Sequence, residues 1–293
     1  MYHDDEPPKP MTDFNYPPTH LTTSKPSFSI AQISDLHLSG QIGHAPSYQR
    51  FLQVLSLAID DKPDLLLLTG DLVNDGNSSA YDWLFEQLYA THLPFVCIAG
   101  NHDVTHEIGT GLPFAERQHI PITPDDRLCD CHSMDIRVGD CLWRVLLLNS
   151  AVNGETHGSL PHASLDWLDN ELYHHPHPTL IALHHHPVLM RSAWMDAYIL
   201  DNKEEFWQVL LKHPHAHTVL CGHVHQAHDI RPFAHHPVRL LTCPSTDRQF
   251  APFCDEFTLD DAPAGYRMIQ LSNTATLSSY IKNVQNRQPI FPI

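Results

Sequence analysis

The chain has 293 residues, of which 42% are hydrophobic and 17% are charged, a composition typical of a soluble globular protein with a full core. Its formal net charge is −17, from 17 basic and 34 acidic side chains with histidine counted as neutral. Such a surface repels nucleic acids and anionic lipid, so we expect neither as a partner. No apolar run approaches the roughly 20 residues that a membrane span requires.

The segment 1–27 is rich in proline, carries several charges and lacks the apolar stretch of a signal peptide. We predict that it is disordered and that residues 28–293 form a single domain, because strand-like segments recur without a linker between two blocks. None of the seven cysteines belongs to a Cys-x-x-Cys pair. We therefore expect reduced thiols in a cytoplasmic protein.

Strands and helices alternate over the first hundred residues. Strands are predicted at Phe28–Ser34, Asp64–Thr69 and Pro94–Ala99, and helices at Ser47–Asp61 and Ser79–His92. The second strand is continuously apolar, as in a strand that is covered on both faces. This β-α-β-α-β order predicts parallel strands joined by right-handed crossovers.

The second half of the chain continues the alternation. Strands are predicted at Leu142–Leu148, Thr179–Leu183, Thr218–Cys221 and Arg239–Thr242, helices at Leu160–His175 and Asn202–Lys212, and a closing hairpin at Tyr266–Leu271 and Ser278–Ile281. These strands are more than one sheet comfortably holds. We therefore predict an α/β fold in which two facing mixed β-sheets are flanked by helices.

Five short motifs follow predicted strands, and each contains side chains that bind metal ions. In chain order they are Asp35-Leu36-His37, Gly70-Asp71, Gly100-Asn101-His102-Asp103, His184-His185-His186-Pro187 and Gly222-His223-Val224-His225. One such motif is weak support in a chain with 25 histidines, but five in order are hard to obtain from composition alone. Because ligands of α/β folds gather at the carboxyl ends of strands, we expect the motifs to meet at one site.

Spacing indicates how these side chains could share ions. Asp35 and His37 are two residues apart, and in an extended segment such residues point the same way, so both could bind one ion. His223 and His225 repeat this spacing. Asp71 follows a glycine at a strand end, where its carboxylate could bridge two metals about 3.5–4 Å apart.

The remaining donors complete a mixed set of nitrogen and oxygen ligands. Asn101 offers an amide oxygen, and His184 ends its strand directly, although His186 would share its face by alternation. The absence of a thiolate argues against a structural zinc site and favours a catalytic centre with open positions. Iron(II) or manganese(II) suits these ligands, and zinc(II) and cobalt(II) remain alternatives.

The motif order resembles that of the calcineurin-like metallophosphoesterases over about Phe28 to Ile281. Longer stretches are similar to the bacterial class III cyclic AMP phosphodiesterases: Leu183-His184-His185-His186-Pro187, Leu220-Cys221-Gly222-His223, Pro244-Ser245-Thr246, Phe257-Thr258-Leu259-Asp260 and Ala264-Gly265-Tyr266-Arg267. The resemblance implies a four-layer αββα sandwich and two iron or manganese ions. Asn149 is a departure, because relatives often carry Asp there.

The resemblance also implies a role for each matching residue. One metal would be held by Asp35, His37, Asp71 and His225, and the other by Asp71, Asn101, His184 and His223. Asp71 would bridge the two ions. The residues around Pro244-Ser245-Thr246 and Gln249-Phe250 would line the nucleotide side of the site.

These assignments predict an enzyme that converts 3′,5′-cyclic AMP to 5′-AMP by attack of metal-activated hydroxide. His102 would protonate the leaving ribose 3′-oxygen, or would bind phosphate without transferring a proton. Asp103 would orient His102 or shape the loop. His37, Asn101, His102 and His225 are predicted to contact the substrate.

Three other functions compete with this hypothesis. The same metal centre would serve a phosphatase or a phosphodiesterase for another small ester, such as a 2′,3′-cyclic nucleotide. A scaffold without activity usually lacks ligands, and none is missing here. A nuclease is disfavoured by the acidic charge and by the lack of a basic strip with aromatic residues.

Overall fold

The computed structural model describes residues 15–109, 111–112 and 116–284. Within these ranges the strands are β1 (His20–Thr23), β2 (Ser27–Ile33), β3 (Leu65–Thr69), β4 (Phe95–Ile98), β5 (Thr105–Ile108), β6 (Gln118–Pro121), β7 (His132–Val138), β8 (Cys141–Leu147), β9 (Thr179–Ala182), β10 (Ala216–Cys221), β11 (Asp229–Ile230), β12 (Arg239–Thr242), β13 (Gln249–Phe250), β14 (Leu259–Asp260), β15 (Gly265–Ser272) and β16 (Leu277–Asn283).

The helices in the described ranges are interspersed with the strands that precede β10. They are α1 (Pro46–Asp60), α2 (Ser78–Ala90), α3 (Asn101–Val104), α4 (His162–His174), α5 (Ala193–Asp196) and α6 (Lys203–Leu210). In the part of the chain that the structure describes, none of them combines the length and the apolar character that crossing a bilayer demands.

Two sheets contain most of the strands. The five-stranded sheet has the order β16-β15-β2-β3-β4, and the seven-stranded sheet has the order β1-β7-β8-β9-β10-β12-β11. The predicted β-α-β-α-β start is confirmed, because β2, β3 and β4 run parallel, with Ile30 opposite Leu65 and Leu66 opposite Phe95. The predicted closing hairpin is also confirmed as β15 and β16.

Apolar side chains divide the molecule into four layers. The layer between the sheets includes Leu67 from the five-stranded sheet and Trp143 from the seven-stranded sheet. On the outer face of the five-stranded sheet, α1 and α2 pack through residues such as Phe51. On the outer face of the other sheet, α4 and α6 pack through Leu168 and Phe206. The predicted fold of two facing sheets between helices is therefore confirmed.

The N-terminal segment departs in part from the prediction of disorder. Residues 1–14 lie outside the described residues, but β1 pairs in parallel with β7, from His20 opposite Asp135 to Thr23 opposite Val138. The prediction is therefore wrong for residues 20–23. Side chains of β1 are only half-buried or exposed. Its backbone hydrogen bonds at the sheet edge, rather than an apolar pattern, hold this strand in place.

Tyr16 anchors the same segment to the core. Its ring lies 4.8 Å from that of Phe95 and 5.6 Å from that of Phe85, measured between centroids. Its hydroxyl donates a hydrogen bond to the backbone carbonyl of Arg127 at 2.5 Å. We therefore expect the segment to contribute to the stability of the domain.

Tyr16→Ala should lower the free energy of unfolding by about 2 kcal/mol, less than a fully buried aromatic residue would lose. The melting temperature should fall by about 5 °C. Tyr173→Ala is the matched control, because this side chain is 73% exposed, and it should leave the melting temperature unchanged. Thermal unfolding followed by circular dichroism measures both, and an unaltered melting temperature for Tyr16→Ala would refute the anchor.

Candidate metal centre

Five loops meet where the carboxyl ends of strands from the two sheets approach each other. In the five-stranded sheet, β2, β3 and β4 lead into the loops of Asp35, Asp71 and Asn101. In the seven-stranded sheet, β9 and β10 lead into the loops of His184 and His223. The expected convergence of the motifs is therefore present in the structure.

These loops are sharply bent rather than extended. Left-handed backbone angles, with φ between 48° and 66°, occur at five predicted ligands: Asp35, His37, Asp71, His223 and His225. Residues other than glycine rarely adopt this region, and such strain clusters at functional sites. The expectation that Asp35 and His37 converge through an extended segment is wrong. They converge because the backbone bends on both sides of the buried Leu36.

The first group of possible ligands comprises Asp35, His37, Asp71 and His225, with one donor atom of each within 4.8 Å of the others. His225 Nε2 lies 3.0 Å from His37 Nε2 and 3.3 Å from Asp35 Oδ1. His37 Nε2 lies 3.7 Å from Asp71 Oδ2. Two donors about 2.1 Å from one ion and at a right angle would be about 3.0 Å apart, so this spacing fits a shared cation.

Hydrogen bonds determine which nitrogen of each imidazole faces the centre. His225 Nδ1 donates to the carbonyl of Arg248 at 2.6 Å, and His37 Nδ1 donates to Asn74 Oδ1 at 2.7 Å. Burial lowers the pKa of His37 to about 4, which keeps that ring neutral. With each Nδ1 engaged, the two Nε2 atoms point towards each other and towards the carboxylates, 3.0 Å apart, as two nitrogen ligands of one metal would.

The second group lies on the other side of Asp71. His184 Nε2 is 3.3 Å from Asp71 Oδ2 and 3.2 Å from His223 Nδ1. His184 Nδ1 donates to the carbonyl of Thr69 at 2.8 Å, which turns Nε2 towards the carboxylate. Asn101 Oδ1 is buried and has no hydrogen-bond partner among the described residues. An unpaired buried acceptor costs about 1–3 kcal/mol, and a bound cation would remove this cost.

Charges around Asp71 favour a bound cation. Burial alone would raise the pKa of Asp71, but His184 and His102 hold it well below its ordinary range. Burial opposes protonation of His184, yet Asp71 raises the pKa of His184 to about 9. A cation at this position would replace the proton on His184, because a coordinating imidazole must be neutral.

The histidine triplet separates into different environments. His184 faces Asp71, as the strand-end argument predicts. His186 instead stacks on His223, with 5.5 Å between ring centroids, and its Nε2 lies 3.9 Å from Asp196. The geometry thus places His184, rather than His186, among the donors that surround Asp71.

His185 belongs to a possible ligand cluster with His184 and His223 that the sequence analysis missed. Both of its ring nitrogens have other partners, however. Nδ1 lies 2.8 Å from the hydroxyl oxygen of Ser150, and Nε2 lies 3.3 Å from the carbonyl oxygen of Thr156. These contacts indicate that His185 supports the loop of His184 and does not bind an ion.

His102 lies beside the first ligand group. Its ring is edge-on to that of His37, with 4.9 Å between centroids, and it lines the cavity over the centre. Its backbone N–H donates to Asp71 Oδ1 at 2.9 Å. This contact fixes the first turn of α3 against the carboxylate that both ligand groups share.

Asp103 takes only one of its two predicted roles. Its carboxylate accepts hydrogen bonds at 2.5–3.1 Å from the backbone N–H groups of Leu72, Val73 and Gly100 and from the hydroxyl of Tyr81. Burial and the nearby Asp71 raise the pKa of Asp103 to about 6. None of these bonds reaches His102, so Asp103 shapes the ligand loops, and no contact supports the prediction that it orients His102.

A cavity of about 790 Å³ lies against both ligand groups. The prediction that the residues around Pro244-Ser245-Thr246 and Gln249-Phe250 line it holds only in part: Asp247 and Arg248 line the cavity, whereas Ser245, Thr246 and Gln249 lie buried behind it. Ser245 Oγ donates to the carbonyl of Asp35 at 2.7 Å, so this segment supports a ligand loop from behind. Phe250 does line the cavity, as predicted.

The space around residue 222 is too small for any side chain, so glycine is required there. A Cβ atom added there would lie 2.0 Å from Ser34 Oγ and 2.8 Å from Asp35 Oδ2. We expect Gly222→Ala to move the His223 loop and to weaken manganese binding by about tenfold or more. Calorimetric titration of metal-free protein measures this loss. Gly111→Ala is the matched control, because an added Cβ there meets no atom within 4 Å. Equal manganese affinity in the two variants would contradict the steric argument.

A four-layer sandwich that gathers two groups of imidazole and carboxylate donors around a shared aspartate defines a metal-dependent hydrolase. Residues 28–227 match the family described as calcineurin-like phosphoesterase, and the chain belongs to this family. The predicted family and the predicted class of enzyme, a phosphoesterase, are therefore confirmed.

Relatives extend this assignment over nearly the whole chain. A probable cyclic nucleotide phosphodiesterase from Moraxella catarrhalis (strain BBH18) is 58% identical, covering 90% of this chain and 95% of the relative. The 3′,5′-cyclic adenosine monophosphate phosphodiesterase CpdA of Escherichia coli (strain K12) is 36% identical, over 86% of this chain and 88% of the relative. A dimetal phosphatase from Danio rerio shares the fold, with a TM-score of 0.55 and 14% sequence identity. The match covers 89% of this chain and 100% of the phosphatase chain.

Proposed function

We propose that this chain is a dinuclear metal-dependent phosphodiesterase that converts 3′,5′-cyclic AMP to 5′-AMP and so lowers the intracellular level of cyclic AMP. The observation that carries the metal-dependent chemistry is the pair of Nε2 atoms of His37 and His225, which face each other at 3.0 Å. The choice of substrate is supported by the activity after which the Escherichia coli relative, 36% identical, is named.

Each ion would have its own set of ligands, and the two ions would share one carboxylate. One ion would be held by Asp35, His37, Asp71 and His225, and the other by Asp71, Asn101, His184 and His223. The bridging role of Asp71 is supported by its Oδ2, which lies 3.7 Å from His37 Nε2 and 3.3 Å from His184 Nε2. Because the donors are nitrogen and oxygen atoms, we propose iron(II) or manganese(II), with zinc(II) and cobalt(II) as alternatives.

The chain's own side chains would then position the substrate and transfer a proton. When bound, the ions supply a water nucleophile at neutral pH and positive charge beside the phosphoryl group. His37, Asn101 and His225 border the place where the phosphoryl oxygens would lie. His102, which lines the cavity, would donate a proton to the ribose 3′-oxygen as the bond between this oxygen and phosphorus breaks.

A second candidate is hydrolysis of another small phosphate ester, including 2′,3′-cyclic nucleotides. The cavity of about 790 Å³ is open enough for such esters, and the same ligands would serve them. A scaffold without activity is not supported, because every predicted ligand is present and the ligands converge.

The decisive experiment compares three substrates with one protein. Metal-stripped protein is refilled with iron(II) or manganese(II) and supplied with 3′,5′-cyclic AMP, 2′,3′-cyclic AMP or p-nitrophenyl phosphate. We expect metal-dependent release of 5′-AMP, fastest from the 3′,5′ ester. If only the other two esters are hydrolysed, the metal centre stands and the proposed substrate is wrong.

Three further properties stay predictions. A cytoplasmic location and a single domain over residues 28–293 agree with the proposed role in cyclic AMP turnover. The net charge of −17 supports a small-molecule substrate over a nucleic acid. Neither the sequence nor the fold predicts a protein partner.

A further inference from the structure

Three aromatic side chains form one wall of the cavity. Trp194 follows β9 in the chain, whereas Phe250 and Phe257 belong to the β13–β14 hairpin and its loop. The Trp194 ring meets each phenyl ring edge-on, with 5.1 Å between centroids in both cases. The two phenyl rings are 5.3 Å apart. Together these three residues form an aromatic corner.

The aromatic corner is in direct contact with one of the predicted metal ligands, His225. Phe250 lies flat against His225, with 3.9 Å between centroids and 12° between the ring planes. His37, Asp71 and Asn101 line the same cavity. One cavity therefore joins a site for a phosphoryl group to an apolar wall.

The outer part of the corner keeps apolar surface exposed. Phe257 is 42% exposed, and Leu259, on the same hairpin, is 45% exposed. Two arginines also line the cavity near these rings: Arg50, whose Nε lies 2.7 Å from Asp247 Oδ1, and the exposed Arg248. The three rings themselves offer faces and edges that suit a flat uncharged group.

We propose that the aromatic corner is the nucleobase subsite and that Phe257 sets the preference for nucleotides over phosphate esters without a base. Every base has a π face, so stacking here selects for the presence of a base and not for one base over another. This inference rests on the proposed function, because it assumes that the phosphoryl group is bound by the metal ligands.

The test compares 5′-AMP with ribose 5-phosphate, which keeps the sugar and phosphate but lacks the base. Their dissociation constants are measured by calorimetry with the manganese-loaded full chain. The natural protein should bind 5′-AMP about tenfold more tightly than ribose 5-phosphate. Phe257→Ala should weaken 5′-AMP binding about tenfold and leave ribose 5-phosphate binding unchanged.

Controls separate stacking from general damage. Phe253→Ala removes a phenyl ring that is 66% exposed, on the same hairpin loop, from a residue that does not line the cavity, and should change neither constant. Phe257→Trp should retain the preference for 5′-AMP, and Phe257→Leu should lose most of it. Equal weakening of both ligands in Phe257→Ala, or no weakening of either, would overturn the proposal.

Failure of the inference and failure of the proposed function give different results. If the natural protein hydrolyses 3′,5′-cyclic AMP but Phe257→Ala keeps the full preference for 5′-AMP, only the subsite is wrong. If the natural protein fails to hydrolyse the cyclic ester, the proposed function is wrong, and the two dissociation constants still decide whether the corner binds a base.

Discussion

Asp71→Asn is expected to lower kcat/KM for 3′,5′-cyclic AMP by at least about 10³-fold. Asp71 Oδ2 is the only carboxylate oxygen in the described residues that faces imidazoles of both ligand groups, at 3.7 Å from His37 Nε2 and 3.3 Å from His184 Nε2. Loss of an outer partner of a single ligand already costs about 10–100-fold in affinity or activity, and Asp71 serves two ions. Steady-state kinetics and the metal content of the purified variant measure the effect.

Asp169→Asn is the matched control for this substitution. Asp169 lies on α4 and pairs with Lys212 and His213, away from the cavity. The Asp169→Asn variant should retain full activity and bind as much metal as the natural protein. Circular dichroism should show that both variants are folded. An Asp71→Asn variant that binds two ions and turns over normally would exclude the bridging role.

Fully buried elements could be predicted from the sequence because the burial of apolar side chains dominates their composition. All five residues of β3 are buried, so Leu65–Thr69 appears as an unbroken apolar run. Such a run between two amphipathic helices leaves few topologies open. The ligand motifs then follow from topology, since the residues after β2, β3 and β4 must lie at the same edge of one sheet.

Two strands whose side chains have mixed surroundings, β1 and β7, were not predicted. β7 buries Met134, Ile136 and Val138 on alternate positions, a pattern that is present in the sequence but was missed among polar neighbours. β1 has no such pattern, because none of its side chains is fully buried. Its pairing depends on the edge that β7 offers, which the sequence of His20–Thr23 does not reveal.

The directions in which the side chains of the site point were harder to predict than which residues form the site. His102 and Asp103 are neighbours in the sequence, but on the turn of α3 successive side chains point about 100° apart. Asp103 therefore points into the core while His102 lines the cavity. Of the aromatic corner only Phe250 was predicted to line the site, because Trp194 lies in a different segment and no motif joins it to the hairpin.

His102→Ala should lower kcat for 3′,5′-cyclic AMP by about 10²–10⁴-fold, the usual contribution of a positioned general acid, while both ions stay bound. Retention of metal is expected because Asp71 is contacted by the backbone N–H of His102, at 2.9 Å, and this bond does not depend on the side chain. His106→Ala is the matched control, since His106 also lines the cavity but belongs to β5. Stopped assays of 5′-AMP release and metal analysis measure both variants.

The leaving group separates proton donation from phosphate binding. An alkoxide such as the ribose 3′-oxygen leaves poorly without a proton, whereas p-nitrophenolate needs little assistance. If His102 is the acid, His102→Ala should slow cyclic AMP hydrolysis far more than that of thymidine 5′-(p-nitrophenyl phosphate). If the side chain only binds phosphate, both substrates should be slowed alike, with a higher KM for each. Equal losses with the two leaving groups would therefore assign His102 to binding and leave the proton to another donor.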